Sequence, residues 1–189
     1  VTPAIGATGS ATPTLNSNGT VTVPAGTKSG TYQIGYRICT TVSAVTACDT
    51  ATATIVVGAA TITATPDVVT VTVGSTSTES VIDNDHIGTA TATTNTVSVT
   101  VVTGATPKGT GTATPTLNSN GTVTVPNNTP AGTYTIVYRI CEKLNSGNCT
   151  TTTATVVVPL TPITATPDVV TVTVGSTSSK SVIDNDHIG

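Results

Sequence analysis

Residues 132–158 read GTYTIVYRICEKLNSGNCTTTTATVVV, and the pattern in this stretch points to the fold class. Apolar and polar side chains alternate in its first half, which is the period of a β-strand with one buried face. A second run rich in threonine and valine follows the loop between the two cysteines, so the stretch predicts two neighbouring strands. Residues of one parity should line a core: Tyr134, Ile136, Tyr138 and Ile140, with the counterparts Tyr32, Ile34, Tyr36 and Ile38 earlier in the chain.

Each of these strand pairs carries two cysteines, Cys39 with Cys48 and Cys141 with Cys149. Each cysteine has the parity of the polar residues of its strand, so both members of a pair should point to the outer face. Two thiols on one face of neighbouring strands predict one disulfide per pair. A zinc site is the rival, but two cysteines without a nearby histidine or second cysteine pair do not supply a tetrahedral ligand set. Disulfides persist in oxidising compartments, so the pairs predict an exported, extracellular protein.

The chain is built from internal repeats. Residues 62–77 recur letter for letter as 163–178, residues 80–88 as 181–189, and residues 11–24 as 113–126. Asp83 recurs as Asp184, a period of 101 residues, which is the size of one small β-sandwich. We therefore predict the C-terminal part of one immunoglobulin-like repeat at residues 1–59, a complete repeat at 60–161 and the N-terminal part of the next at 162–189. A chain that starts and stops within a repeat is expected to belong to a longer array.

The composition excludes several classes of protein. The 189 residues include six Lys and Arg against nine Asp and Glu, and too few bases exist to form a phosphate-binding patch, so no nucleic-acid partner is expected. No apolar run of about 18 residues occurs, so no membrane span is expected. Threonine and valine are abundant while most strong helix formers are scarce. This composition favours an all-β fold of tandem immunoglobulin-like β-sandwich repeats.

Two local motifs refine the strand prediction. Asn120 and Gly121 stand between short strand-like runs and predict a hairpin whose type I′ turn places both residues at positive φ. Pro130 begins the approach to Tyr134 in the manner of a tyrosine corner, in which the phenol bonds to backbone upstream. The alternative is that Tyr134 simply fills the core.

Two candidate sites stand out from the threonine-rich background. Asp67, Asp83, Asn84 and Asp85 offer the carboxylate and amide oxygens that Ca²⁺ prefers, and they are the candidate calcium ligands. The alternative, which we favour, is a plain turn, because Asp and Asn side chains bond readily to local backbone. Thr50 is a candidate glycosylation site, because Asp49-Thr50-Ala51 resembles the O-glycosylation signal of exported Bacteroidota proteins.

Catalysis is not expected from this sequence. One repeat offers a single histidine and a few carboxylates, and no nucleophile stands at a recognisable spacing from a base. No cofactor is expected besides the candidate Ca²⁺.

The quoted motifs carry a family resemblance. TPAGTYTIVYRICEKLNSGNC at residues 129–149, with ATPDVVTVTVG at 64–74 and SVIDND at 80–85, resembles the tandem repeats of giant Bacteroidota cell-surface adhesins, in particular the gliding-motility adhesins of the SprB type. The resemblance covers both copies of the repeat. It implies immunoglobulin-like domains, export by the type IX secretion system, and long filaments that grip a substratum.

The repeats predict the shaft of a large secreted filament at the cell surface, and the resemblance implies that it is an adhesin acting in surface attachment and gliding motility. Its expected partners are neighbouring repeats of the same long chain, identical filaments alongside it, and surface glycans or a substratum bound through regions outside this chain. Two alternatives stay open. A glycan-binding β-sandwich module would need exposed aromatic rings, whereas all four tyrosines are predicted to lie in the core. A surface-layer or matrix protein would assemble laterally.

Overall fold

A computed structural model describes residues 11–40 and 47–189. Within these ranges the chain forms strands and no helix, which confirms the all-β prediction. The strands are β1 (Thr14–Leu15), β2 (Val21–Thr22), β3 (Gly30–Cys39), β4 (Cys48–Val57), β5 (Ile62–Thr63), β6 (Asp67–Thr70), β7 (His86–Ile87), β8 (Ala90–Thr91), β9 (Val97–Thr103), β10 (Thr116–Leu117), β11 (Val123–Thr124), β12 (Gly132–Glu142), β13 (Cys149–Val158), β14 (Ile163–Thr164) and β15 (His187–Ile188).

Four strands of the predicted complete repeat form the largest sheet, in the order β6-β13-β12-β9. β6 pairs in parallel with β13, with Asp67 opposite Ala154 and Thr70 opposite Val157. The smaller sheets are β1-β2, β3-β4, β5-β7-β8, β10-β11 and β14-β15. The first and last long segments of the complete repeat are therefore neighbours in one sheet.

After β6 the chain leaves the large sheet and runs beside β11. The N–H of Val71 still donates to the carbonyl of Val157 at 3.0 Å, whereas the N–H of Gly74 donates to the carbonyl of Val125 at 2.9 Å. Residues 67–81 thus tie the large sheet to the β10-β11 hairpin. A segment that pairs first with one layer and then with the other is typical of β-sandwiches.

The core of the complete repeat contains the four residues of β12 that the alternation singles out. Tyr134, Ile136, Tyr138 and Ile140 are all buried, which confirms their prediction. From the hairpin layer, β11 and the residue after it contribute Val123 and Val125, which are also fully buried.

The same prediction is wrong for the second half of β3. Tyr32 and Ile34 are buried and pack against Leu15, Ile55 and Val57, but Tyr36 is only half-buried and Ile38 is 65% exposed. The sheet of β3 has two strands, whereas β12 and β13 are flanked by β9 and β6. Alternation shows which side chains share a face, but burial also requires a layer that covers that face.

The turn at Asn120 and Gly121 also differs from its prediction. The hairpin is present, but only Gly121 of the pair has a positive φ, at +85°. The N–H of Gly121 donates to the carbonyl of Asn118 at 2.9 Å, and the N–H of Asn118 donates to the carbonyl of Thr122 at 2.8 Å. This is a three-residue loop closed by a glycine in the left-handed region. The side chain of Asn120 also accepts from the N–H of Thr122 at 3.1 Å. The prediction of a type I′ turn from the Asn-Gly pair does not take this local bond into account.

The chain divides into two compact units, and each draws on several separate segments. The first contains Val1–Ala64, Asn84–Ser98 and Arg139–Thr151, and the second contains Thr65–Asp83, Val99–Tyr138 and Thr152–Gly189. The first unit therefore combines residues from both sides of the repeat boundary predicted after residue 59. The repeat boundaries themselves stay a prediction from the sequence.

Candidate functional site

Both predicted disulfides are present, Cys39–Cys48 and Cys141–Cys149. Cys39 and Cys48 lie directly opposite each other at the end of the β3-β4 ladder, with their Cα atoms 4.0 Å apart. No cysteine of the described ranges is free. Closing a loop of this size restricts the unfolded chain and is worth about 2.5–3 kcal/mol by the chain-entropy estimate.

The outward orientation predicted for the cysteines needs one correction. Cys39 and Cys149 are exposed and Cys48 is partly exposed, but Cys141 is only 8% exposed. Cys141 shares its parity with exposed Arg139, so its burial does not follow from the phase of the strand. The loop at residues 143–148 turns back at this end of β12, where the N–H of Glu142 donates to the carbonyl of Asn148 at 2.9 Å.

This loop is organised around the carboxylate of Glu142. The side-chain amide of Asn145 donates to Oε1 and that of Asn148 donates to Oε2, both at 2.8 Å. The backbone adds a bond from the N–H of Glu142 to the carbonyl of Asn148 at 2.9 Å. Glu142 and Asn145 are both buried. Two side-chain hydrogen bonds and one backbone bond converge on Glu142, so this residue holds the shape of the loop.

Asn145 also binds a residue of the preceding half-repeat, and Asn148 binds the first residue of the predicted complete repeat. Asn145 Oδ1 accepts from the N–H of Ser29 at 2.9 Å and from its hydroxyl at 2.7 Å. Asn148 Nδ2 lies 2.7 Å from the carbonyl oxygen of Ala60 and donates to it. All of these residues belong to the first compact unit. We call Ser29, Ala60, Glu142, Asn145 and Asn148 the joint cluster, because it crosses the predicted boundary between repeats.

The opposite side of the loop is held by Lys143. Its N–H donates to the carbonyl of Thr96 at 2.8 Å, and its ammonium donates to the carbonyl of Thr94. The loop is therefore anchored both to the turn before β9 and to the preceding half-repeat.

The joint cluster does not follow from the residues that the two copies share. Thr40 stands in the first copy where the second has Glu142, and Ala131 stands in the second copy where the first has Ser29. A signal was nevertheless present. Polar residues at positions where two nearly identical copies differ indicate contacts that belong to one junction only.

The tyrosine corner is present in both copies. The hydroxyl of Tyr134 donates to the carbonyl of Pro130, and that of Tyr32 donates to the carbonyl of Lys28, each at 2.7 Å. The ammonium of Lys108 lies 5.5 Å from the ring centre of Tyr134. The corner fixes the entry into β3 and β12, and the side chain is a core filler as well.

One candidate calcium ligand, Asp67, is engaged by a core tyrosine. The hydroxyl of Tyr138 lies 2.7 Å from Asp67 Oδ2 and 2.8 Å from the carbonyl oxygen of Val81. This buried hydroxyl therefore connects the start of β6, the end of the following segment and the middle of β12.

The other three candidates lie in the turn before β7. Asp83 Oδ2 accepts from the N–H of Ser80 at 2.9 Å, which is the local side-chain bond expected of a plain turn. Asn84 is exposed and Asp85 is fully buried. In residues 11–40 and 47–189, no three His, Cys, Asp or Glu side chains come together in a group that could hold a metal ion. Calcium binding at Asp67, Asp83, Asn84 and Asp85 stays a prediction from the sequence.

Thr50 is exposed on β4, in register with Arg37 of β3. Its N–H donates to Oδ1 of Asp49 at 2.8 Å. Glycosylation of Thr50 stays a prediction.

A groove of about 530 Å³ lies in the first half-repeat. Its apolar lining includes Leu15, Val21, Tyr36 and Ile38. The counterparts of the last three in the complete repeat are buried: Val123, Tyr138 and Ile140. The groove is therefore the part of a repeat core that is left uncovered in the described chain.

No family model matches the sequence, and no curated protein matches it significantly. The resemblance to surface adhesins accordingly stays an expectation. The described ranges contain no helix long and apolar enough to cross a membrane.

Proposed function

We propose that the chain is part of the shaft of a secreted cell-surface adhesin filament, a load-bearing array of sandwich domains that takes part in surface attachment and gliding. The single observation that supports this most directly is the joint cluster. It bonds the loop of the complete repeat to Ser29 of the preceding half-repeat through the side chain of Asn145, beside the bond of Asn148 to Ala60 at the predicted boundary. A joint held by two partly buried hydrogen bonds resists bending more than a bare linker does.

The disulfides support the same proposal. Each one ties together the two longest strands of its copy, at the end where the hairpin loop begins. A bond at that place prevents the hairpin from opening when the chain is pulled. Disulfide chemistry also belongs to oxidising compartments, which fits export to the cell surface.

A glycan-binding module is the alternative, and it would need an aromatic ring open to solvent. Tyr32, Tyr134 and Tyr138 are buried in the described chain. Tyr36 is half-buried and lines the groove of the first half-repeat, but its counterpart Tyr138 is fully buried where the repeat is whole. Tyr36 is only half-buried because its face of the first half-repeat is left uncovered in the described chain. We therefore do not propose glycan binding for the repeat itself.

The proposal is tested on the native assembly. Antibodies raised against this chain should label the outside of intact cells of the source organism, and electron microscopy of the labelled material should show thin threads. Beads along a thread should be spaced about 40–45 Å apart, the length of a sandwich of about 100 residues. Label confined to the cell interior, or flat sheets in place of threads, would contradict the proposal; flat sheets would favour a surface layer.

A further inference from the structure

The largest sheet has two edge strands, β6 and β9, and both lie within the predicted complete repeat. β6 has only four residues and begins directly after Pro66. Its first residue, Asp67, turns a carboxylate oxygen to within 2.7 Å of the core hydroxyl of Tyr138. A short strand, a proline and an inward-pointing charge are common means by which proteins protect a sheet edge from pairing with another chain. We therefore regard β6 as a protected edge.

β9 is an edge strand without these features. Its seven residues, VSVTVVT, include no proline, no glycine and no charged side chain. The sequence around it is also neutral, since residues 87–107 contain no Asp, Glu, Lys or Arg. Val101 is 46% exposed and Val102 is 56% exposed. An uncharged apolar edge strand of this length is a template for pairing with another strand.

The register of β9 against β12 follows from two hydrogen bonds. The N–H of Lys143 donates to the carbonyl of Thr96 at 2.8 Å. The hydroxyl of Ser98 donates to the carbonyl of Cys141 at 3.4 Å. Residue numbers rise along β9 as they fall along β12, so the two strands are antiparallel. In such a pair the residues that bond to the neighbouring strand alternate with residues that do not.

This alternation decides which backbone groups of β9 point away from β12. Residue 96 bonds to β12, so residues 98, 100 and 102 do the same, and the odd-numbered residues point outward. Val97 is already engaged, since its N–H donates to the carbonyl of Thr93 at 2.9 Å. The outward-facing N–H and C=O groups at the open edge are therefore those of Val99, Val101 and Thr103.

We propose that β9 pairs in antiparallel fashion with β9 of a second copy of the chain, about a two-fold axis at Val101. Val101 then bonds to the same residue of the second copy, and Val99 bonds to the second copy's Thr103. All three outward-facing residues thus find partners at once. This is strand addition at an exposed sheet edge, with the two large sheets joined into one.

A second copy fits this edge better than a charged partner does. The edge offers no charge that would attract an acidic or basic segment, and two neutral edges meet without repulsion between like charges. Across the new pair Val101 faces its own counterpart, and cross-strand aliphatic pairs of this kind stabilise a sheet. Val101 and Val102 also lose exposed apolar surface when the strands pair.

The pairing closes at two copies, because both copies contribute the same edge and neither retains it afterwards. The opposite edge, β6, is protected, so the joined sheet does not grow further. In the proposed shaft this contact would join two filaments side by side. The pairing goes beyond the proposed function, since it is expected of the isolated chain whatever its role in the cell.

The strength of the pairing is tested by sedimentation equilibrium of the full chain with its disulfides intact. The average mass should rise with concentration toward twice the chain mass and no further. Val101→Lys should raise the dissociation constant at least about tenfold, because it places two ammonium groups opposite each other at the two-fold axis. The matched control is Val68→Lys. It makes the same change at a 73% exposed valine of β6, so the dissociation constant should stay the same.

The register is tested by crosslinking with oxidised glutathione. Directly opposite residues of a hydrogen-bonded antiparallel pair have Cα atoms about 5.5 Å apart, which a disulfide spans. Val101→Cys should therefore give a disulfide-linked dimer. Thr103→Cys is the control, because it also places an exposed thiol on the outward-facing part of β9. Its two thiols would be displaced by four residues, about 13 Å along the paired strands, so this variant should not crosslink.

Several results would overturn the proposal. One is a chain mass that stays constant up to about 1 mM, where a binding free energy of about −4 kcal/mol would already be detected. The others are equal effects of Val101→Lys and Val68→Lys, equal crosslinking of the two cysteine variants, and growth beyond two copies. Dimers of the purified chain would support the pairing even if cells carried no threads, and threads formed by a monomeric chain would support the proposed function alone.

Discussion

At the scale of single residues, the two hairpin turns show how one sequence has different consequences in two settings. Gly19 and Gly121 lie in identical turns with φ of +84° and +85°. A Cβ on Gly19 would meet no atom within 4 Å, whereas a Cβ on Gly121 would lie 2.0 Å from Ser80 Oγ. Ser80 is held there, since its hydroxyl donates to the carbonyl of Asn120 at 3.0 Å.

We therefore expect Gly121→Ala to destabilise its hairpin more than Gly19→Ala destabilises the matching one. Both changes incur the cost of a left-handed alanine, about 1–2 kcal/mol, but only Gly121→Ala also displaces Ser80 and its bond. Hydrogen exchange at the amides of Asn118 and Asn16 measures the two hairpins independently, because each amide closes its own turn. Equal losses of protection in the two hairpins would mean that the contact with Ser80 does not contribute to the stability of the hairpin.

Tyr138 supports a second prediction at this scale. Tyr138→Phe removes a buried hydroxyl that lies within hydrogen-bond distance of both Asp67 and Val81, so the complete repeat should lose about 1–3 kcal/mol of unfolding free energy. Tyr36→Phe is the matched control. It makes the same change at a half-buried site, where an effect within about 0.5 kcal/mol is expected. Denaturant unfolding followed by circular dichroism distinguishes the two, and similar losses would contradict the role given to Tyr138.

At the scale of elements, the loop between β12 and β13 connects the predicted repeats. Asn145→Ala should remove the acceptor for the N–H of Ser29 and one donor to Glu142, so the amide of Ser29 should exchange at least about tenfold faster with solvent. Asn148→Ala is the control. It also takes a donor from Glu142, but it leaves the bond to Ser29 in place. Fast exchange at Ser29 in both variants would mean that the whole loop had loosened.

The disulfides give the second prediction for elements. Replacing Cys141 and Cys149 with serine should destabilise the complete repeat by about 2.5–3 kcal/mol, because the unfolded chain gains conformational entropy when the crosslink is removed. The same replacement of Cys39 and Cys48 should leave the unfolding of residues 60–161 nearly unchanged, because that bond closes a different hairpin. Denaturant titration of the two double variants tests this, and equal losses in the complete repeat would show that the hairpins unfold as one unit.

At the scale of the whole molecule, repetition does not make the copies equal. The counterparts Ile38 and Ile140 share a strand position and a side chain, yet one is 65% exposed and the other is fully buried. The difference lies in the flanking strands, since β12 and β13 have neighbours on both sides and β3 and β4 have none in the described sheets. Stability in such arrays comes largely from contacts between successive elements, so it cannot be assigned copy by copy from the sequence.

The sequence by itself determined the local features: strands from alternation, the cysteine pairs from parity, the tyrosine corner from the approach to Tyr134, and the hairpins from their asparagines and glycines. These depend on residues close together along the chain, and a repeated sequence repeats them. The tertiary structure alone decided the exposure of Ile38 and the joint between Asn145 and Ser29. Each of these depends on which distant segment covers a surface, and that information lies in contacts between residues far apart in the chain.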